Sequence, residues 1–301
     1  MSTLGMNAPN RHDLVTVVAG EAQLVLAPAF GGAVVSWTRS DEPIFRLPLP
    51  NALQADTPRD LASYPLFPYS NRVANRRFTF AGRTHHLPDL MNGWAIHGAG
   101  WRLPWTAHEA DGHVTLTLDY PGGELWPFPF RAEQIFTLEE NALTLKCIVT
   151  NTHTAPAPLA FGQHPFFPRT PATTLQFTAT GLQRNGPDML PISHTPIPPD
   201  RDHATPRPVG PHSIDNCFTG WTGIARITYP DRGFTLDITA DPILANLIVY
   251  IPDGKDFFAI EPVTNITDGL NHMDGPLPPG VFIVPPGEQR RGTMQFAVTP
   301  L

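Results

Sequence analysis

Apolar and polar residues alternate with a period of two in segment after segment of this chain: Glu21 to Leu26, Arg77 to Phe80, His113 to Leu118, Gln134 to Leu138, Ala142 to Val149 and Phe234 to Ile238. Successive side chains of an extended strand point to opposite faces, so this alternation predicts strands with one face turned to a core. Turn residues punctuate them, among them Ala81-Gly82, Asp111-Gly112, Glu140-Asn141 and Asp231-Arg232-Gly233. Strands at this close spacing predict an all-β chain, a large antiparallel β-sandwich or barrel. Hairpins are expected over 77–80/84–87 and 132–138/142–149, and only Arg59 to Tyr64 reads as a short helix. From Arg184 to His212 the chain holds eight prolines and three histidines. That is too proline-rich to pair within a sheet, and a long loop folded over a sheet face is expected.

Composition narrows the class. With 24 glycines, 36 prolines and a charged fraction of 16% in 301 residues, the chain suits many short elements joined by tight turns. Its length is compatible with two domains, but composition does not change across the proline-rich stretch and no repeat of fixed period is present, so residues 1–301 are read as one domain. A net charge of −7 and the lack of a basic stripe argue against nucleic acid as a partner. No run of about 18 apolar residues occurs, and the segment MSTLGMNAPNRHD lacks the apolar core of a secretory signal. A soluble, cytoplasmic protein without a membrane partner is expected. Cys147 and Cys217 stand in no metal-ligand or redox spacing and read as buried thiols of a reducing compartment, where the Asn265-Ile266-Thr267 sequon carries no meaning.

Five segments set polar groups among aromatics or glycine, as a shielded pocket requires: PYSNRV (68–73), AIHGAGW (95–101), FGQHPFF (161–167), IDNCF (214–218) and AIEPVTN (259–265). Glu261 closes an apolar run directly before a proline, an unusual place for a charge. Burial raises a carboxyl pKa towards neutrality, which makes Glu261 a candidate general base, although a glutamate closing a strand is also a common salt-bridge partner. His164 begins a turn after Pro158 to Phe161 and can exchange a proton near neutral pH; a structural histidine is the alternative. Arg72 offers five donors in a fixed fork, and His97, Asp215 and Asn71 can bind hydroxyls or cap their own turns. Trp126 could stack on a ligand or lie in the core. The 12 histidines form no metal-binding motif: His85 and His86 are adjacent in a strand, and His194, His203 and His212 sit in the proline-rich stretch without an acidic cluster. Phosphate-binding glycine loops and GxSxG elbows are absent.

In this order the five segments resemble the aldose 1-epimerase (galactose mutarotase) family. NRV with RRFTFAG is similar to its Asn-Arg pattern and hairpin, AIHG and GQHPFF to its two histidine motifs, IDNCF to its binding aspartate and AIEPVTN to its catalytic glutamate. The resemblance runs from about Val17 to Phe296, and the GQHPFFP context is closest to a broader bacterial branch. It implies the large antiparallel sandwich called a supersandwich, a free aldose as small-molecule substrate, and no metal or organic cofactor. It further implies that Glu261 takes the proton of the C1 hydroxyl, that His164 protonates the ring oxygen, and that Arg72, His97, Asp215 and Asn71 hold hydroxyls. Two rival functions remain: a carbohydrate-binding protein without catalysis, and a glycoside hydrolase using Asp215 and Glu261 at the separations such pairs require.

Overall fold

The computed structural model describes residues 13–210 and 213–301; the readings of the first twelve residues and of His212 lie outside them. Among the described residues the strands form an eleven-stranded antiparallel sheet and a nine-stranded one. In the larger sheet the strands Ala33–Arg39, Ser63–Leu66, Gly162–Pro168, Phe257–Val263, Asn246–Ile251 and Ile214–Thr219 lie side by side. The second sheet runs through His113–Tyr120, Phe130–Glu139, Ala142–Asn151, Gln289–Pro300, Phe234–Ala240 and Ile224–Tyr229. Both expected hairpins form, as Arg77–Phe80 with Arg83–His86 and as Phe130–Glu139 with Ala142–Asn151.

Alternation assigns each strand's two faces. In the Phe257–Val263 strand, Phe258 and Ile260 enter the core between the sheets, together with Val249, Leu236, Met294 and Phe296. Phe296 belongs to the second sheet and meets Phe167 of the first at a ring-centroid distance of 6.3 Å and Phe45, which follows the short strand Glu42–Pro43, at 5.1 Å. Each such aromatic contributes about 1.5–3 kcal/mol by leaving water. The intervening residues of the same strand, Ala259, Glu261 and Val263, point to the outer face of the larger sheet. There a second apolar cluster gathers Tyr64, Phe166, Ile248, Cys217 and Trp101. Short 3₁₀ turns at Ala52–Gln54, Pro58–Asp60 and Gly100–Arg102 and the paired strands Arg72–Val73 and Ala95–Ile96 complete its surroundings. The apolar run before Glu261 therefore reflects burial on both faces.

Three expectations are corrected, the first being that His164 begins a turn, since it lies within the strand Gly162–Pro168. Arg59 to Tyr64 is not a helix: Pro58–Asp60 makes a single 3₁₀ turn, and Ser63–Leu66 is a strand paired to Gly162–Pro168. The stretch from Arg184 is not wholly loop, since Pro191–Thr195 pairs with Gly181–Asn185 at the edge of the larger sheet and Arg207–Pro208 with Thr174–Phe177 at the edge of the second. Proline is excluded from the middle of a sheet but tolerated where one side of a strand needs no partner. Its histidines serve separate places: His194 bonds Thr219 at 2.8 Å, and His203 stacks on Phe177. Cys147 and Cys217 are free and buried. Among the described residues no helix is long and apolar enough to cross a membrane.

Candidate active site

Strand register brings the two proton-exchanging candidates together. Gly162 opposes Val263 and Phe166 opposes Ala259, and the same antiparallel count sets His164 beside Glu261. Tyr64 flanks His164 on the other side, and Ile248 then Cys217 follow Glu261. The result is one row of outer-face side chains, Tyr64, His164, Glu261, Ile248 and Cys217, crossing five strands. His164 Nε2 lies 3.1 Å from Glu261 Oε1, with the two side chains only 7% and 3% exposed. Tyr64 stacks on the imidazole at 4.6 Å and Phe166 packs at 4.5 Å, so both neighbours hold the ring in place.

Of the hydroxyl-binding candidates, Asp215 lies on the strand Ile214–Thr219, while Asn71, Arg72 and His97 come from the paired strands Arg72–Val73 and Ala95–Ile96 and the residues beside them. Asn71 and His97 have left-handed backbones, with φ of 57° and 63°, and bond each other twice. The Asn71 N–H donates to His97 Nδ1 at 3.2 Å, and the His97 N–H donates to the Asn71 carbonyl at 3.1 Å. That leaves Nε2 as the protonated nitrogen of the neutral His97 ring, an assignment from the hydrogen-bond pattern. Asn71 Oδ1 accepts from the Arg72 N–H at 2.8 Å, while Arg72 Nη1 reaches Asp215 Oδ2 at 4.0 Å. Arg72 thus pairs with Asp215 and makes no ion pair with Glu261, which removes the simplest structural explanation for a charge at position 261. Arg72 Nε, His164 Nδ1 and Glu261 Oε2 are buried without a hydrogen-bond partner in the protein.

All six residues, Asn71, Arg72, His97, His164, Asp215 and Glu261, line one cavity of about 390 Å³. Burial is the largest influence on its titrating groups. It raises Glu261 well above the ordinary 4.5, with Asp215 adding to the rise and Arg72 opposing it. It lowers His164 from 6.5 to about 3 and His97 well below 6.5, and it raises Asp215 against the pull of Arg72. The 3.1 Å contact makes His164 and Glu261 one titrating unit. Burial favours a single proton on it, carried by the carboxyl.

This has a measurable consequence for stability. Between about pH 4.5 and 6.5 the unfolded pair also holds one proton, on histidine, so the pair adds no slope to stability there. Removing one partner uncovers the other. Glu261→Gln leaves a histidine with a depressed folded pKa, whose contribution is lost as pH falls from 6.5 towards 3. His164→Gln leaves a carboxyl with a raised folded pKa, whose contribution is lost as pH rises above 4.5. Urea midpoints from pH 4.5 to 6.5 should therefore change in opposite directions in the two variants relative to the parent, by up to about 1.4 kcal/mol per pH unit. Parallel curves would show that burial does not shift the two groups in opposite directions.

Sequence reading missed several lining residues, namely Arg46, Tyr64, Tyr250 and Lys255. Tyr64 lies four residues before the PYSNRV segment, but only strand pairing shows that it faces His164. Arg46 carries no local signal at all, since FRLP resembles an ordinary turn. Asn265, set aside as an idle sequon, is 1% exposed. It accepts from Ser70 N–H at 2.9 Å and Ser70 Oγ at 3.0 Å and donates to the Ser70 carbonyl at 3.0 Å, clamping the Asn71–Arg72 loop to the chain that follows Glu261. Asn265→Ala should cost about 2–4 kcal/mol, because several buried groups lose partners together; a urea melt reads it. Trp126 lies in the core against Phe78 at 5.1 Å and is absent from the cavity lining.

The chain matches the family model described as aldose 1-epimerase over residues 13–297. It is 27% identical over 279 residues to the uncharacterized protein YphB of Escherichia coli (strain K12), covering 89% of this chain and 93% of that one. Among solved structures, a candidate aldose 1-epimerase from Escherichia coli K12 has a TM-score of 0.87 at 26% identity, over 96% of this chain and 99% of the other. A galactose mutarotase-like protein from Clostridium acetobutylicum has a TM-score of 0.83 at 19% identity, over 96% and 95%. Of the sandwich or barrel that the alternating strands allow, the large antiparallel sandwich implied by the resemblance is the fold these structures share.

Proposed function

The chain belongs to the aldose 1-epimerase family, and from that premise we propose that it is a mutarotase interconverting the α and β anomers of a free aldose. The observation that carries this reading is the 3.1 Å contact of His164 with Glu261 in a cavity also lined by Arg72, His97, Asp215 and Asn71. Ring opening moves one proton from the C1 hydroxyl to the ring oxygen. Both oxygens are bonded to the same carbon, so the accepting and donating groups have to be neighbours.

Glu261 takes the hydroxyl proton as the C1–O bond becomes a carbonyl. The bond from C1 to the ring oxygen breaks, its electron pair stays on that oxygen, and His164 delivers a proton to it. The open aldehyde turns about the C1–C2 bond, closure on the other carbonyl face gives the opposite anomer, and the reverse transfers restore the pair. Burial alone would keep the proton on Glu261, whereas this step starts from the tautomer with glutamate ionised and histidine protonated. That tautomer has the same number of protons and is reached along the existing contact. The attraction of opposite charges at 3.1 Å and the field of Arg72 both favour it. Positioned acid–base transfer of this kind contributes about 10²–10⁴-fold. Arg72, Asp215, Asn71 and the Nε2–H of His97 hold the remaining hydroxyls.

The test is anomer equilibration followed by polarimetry or saturation-exchange NMR across a panel of aldoses, with acceleration over buffer expected. Saturable sugar binding without acceleration would overturn the reading in favour of a carbohydrate-binding protein. Release of reducing sugar from aryl glycosides would overturn it in favour of a hydrolase.

A further inference from the structure

The charges of the cavity are unevenly distributed. Its lining holds four cations, Arg46, Arg59, Arg72 and Lys255, against three acids, Asp60, Asp215 and Glu261, although the whole chain carries a net charge of −7. Arg72 faces Asp215 at 4.0 Å. The other three cations line the same cavity, where Asp60 stands 3.7 Å from Arg59. Arg46 and Lys255 form no ion pair among the described residues.

Arg46 is the decisive group. It is 93% buried, its exposure being 7%, and burial lowers its pKa from 12.5 to about 10. Its Nη2 donates to the carbonyls of Arg59 and Leu61 at 3.0 and 2.7 Å, while its Nε is buried without a partner. The guanidinium is clamped between Phe166 and Phe257, 4.0 and 4.4 Å from the ring centroids. Phe166 in turn lies 4.5 Å from the His164 ring, so Arg46 stands one aromatic ring away from the reacting pair. A buried, rigidly held cation without an acidic partner is costly in a protein. Neutral sugar hydroxyls do not require one, and the carbonyls of Arg59 and Leu61 could be satisfied by an uncharged donor.

Resting on the mutarotase reading, we infer that the aldose carries an anionic substituent remote from C1, which Arg46, Arg59 and Lys255 receive while C1 lies against His164 and Glu261. The chemistry is that of a phosphate, sulfonate or carboxylate: oxygens arrayed to accept from guanidinium and ammonium donors. Lys255 is exposed and Arg59 is half-exposed at the rim, so the subsite is open to a group entering from solvent. Asp253 and Asp256 share the Lys255 turn but are absent from the cavity lining, and Asp60 and Asp256, in that order, act on Arg46 at longer range without an ion pair.

The experiment compares anomer exchange for glucose, glucose 6-phosphate, a 6-sulfonated glucose and glucuronate by saturation-exchange NMR. Calorimetric binding of the same sugars to the Glu261→Gln protein runs in parallel. At least one charged sugar should show a kcat/KM about tenfold or more above glucose, since a charge-assisted hydrogen bond is worth roughly that factor. Which of the three leads identifies the anion. Lys255→Ala and Arg59→Ala, both exposed changes that the fold should tolerate, should reduce the charged-to-neutral ratio about tenfold each, and added salt should lower it in the parent. Equal or better turnover of glucose overturns the inference and leaves the mutarotase reading standing. Tight binding of a charged sugar without exchange of any sugar supports the anion subsite and sinks the mutarotase reading, and neither binding nor preference overturns the subsite.

Discussion

Glu261→Gln is expected to lower kcat for anomer exchange by about 10²–10⁴-fold, with sugar binding largely kept. Glutamine preserves the shape of the side chain and can still donate or accept at the 3.1 Å contact with His164, but it cannot take a proton from the C1 hydroxyl. His164→Asn should cost a similar factor by leaving the ring oxygen without its donor. The two losses should not multiply, because each group needs the other's proton to act and residues that work as a unit are strongly non-additive. The double variant is therefore expected to be nearly as active as the poorer single variant. Saturation-exchange rates for the four proteins on one aldose decide this. A double variant at the product of the two single losses would show that Glu261 and His164 act separately, and full activity in Glu261→Gln would remove it as the base.

The second large effect is expected at Gly98, which does no chemistry. Its φ of +71° is a left-handed backbone, and a Cβ there would press into the Phe67 backbone carbonyl, where nothing can yield without moving the strand end. The conformational cost of about 1–2 kcal/mol and an overpacking cost of about 1–3 kcal/mol fall on one position. Gly98→Ala should then lose roughly 3 kcal/mol of stability. Because Gly98 directly follows His97, whose backbone is already left-handed, relief of the clash would displace the His97 ring. A rise in KM of about tenfold, the worth of one hydroxyl hydrogen bond, should accompany the lower urea midpoint. Gly82, in the turn of the Arg77–Phe80 hairpin, has a similar φ of +72° but nothing within 4 Å of its Cβ. Gly82→Ala serves as the control and should show only the smaller conformational cost.

The positions that failed sequence reading fail for one kind of reason. The helix expected over Arg59 to Tyr64 and the wholly irregular stretch after Arg184 follow from local preference. Strand pairing overrode it in both places, with Ser63–Leu66 drawn in by Gly162–Pro168 and Pro191–Thr195 accommodated at a sheet edge. Arg46, Tyr64 and Lys255 went unnoticed because nothing within a few residues of them signals a pocket. Asn265 was noticed for the wrong property, since a glycosylation sequon says nothing about a side chain that is 1% exposed and bonded to Ser70 across 195 residues.

What the amino-acid order determined by itself is the two-faced character of the strands, the turns between them, and five polar groupings whose order matches one family. Period-two patterning is a local property of the backbone, so it survives without knowledge of neighbours. What only the tertiary structure decided is which polar groups meet. His164 and Glu261 stand 97 residues apart in the chain and become partners through the antiparallel register that sets Gly162 against Val263. A shift of one residue in that register would separate them, because it would turn one of the two side chains into the core between the sheets. The same pairing buries Arg46 between Phe166 and Phe257 and leaves its charge in the cavity. Proximity across strands, and the desolvation that follows from it, belong to the assembled sheet.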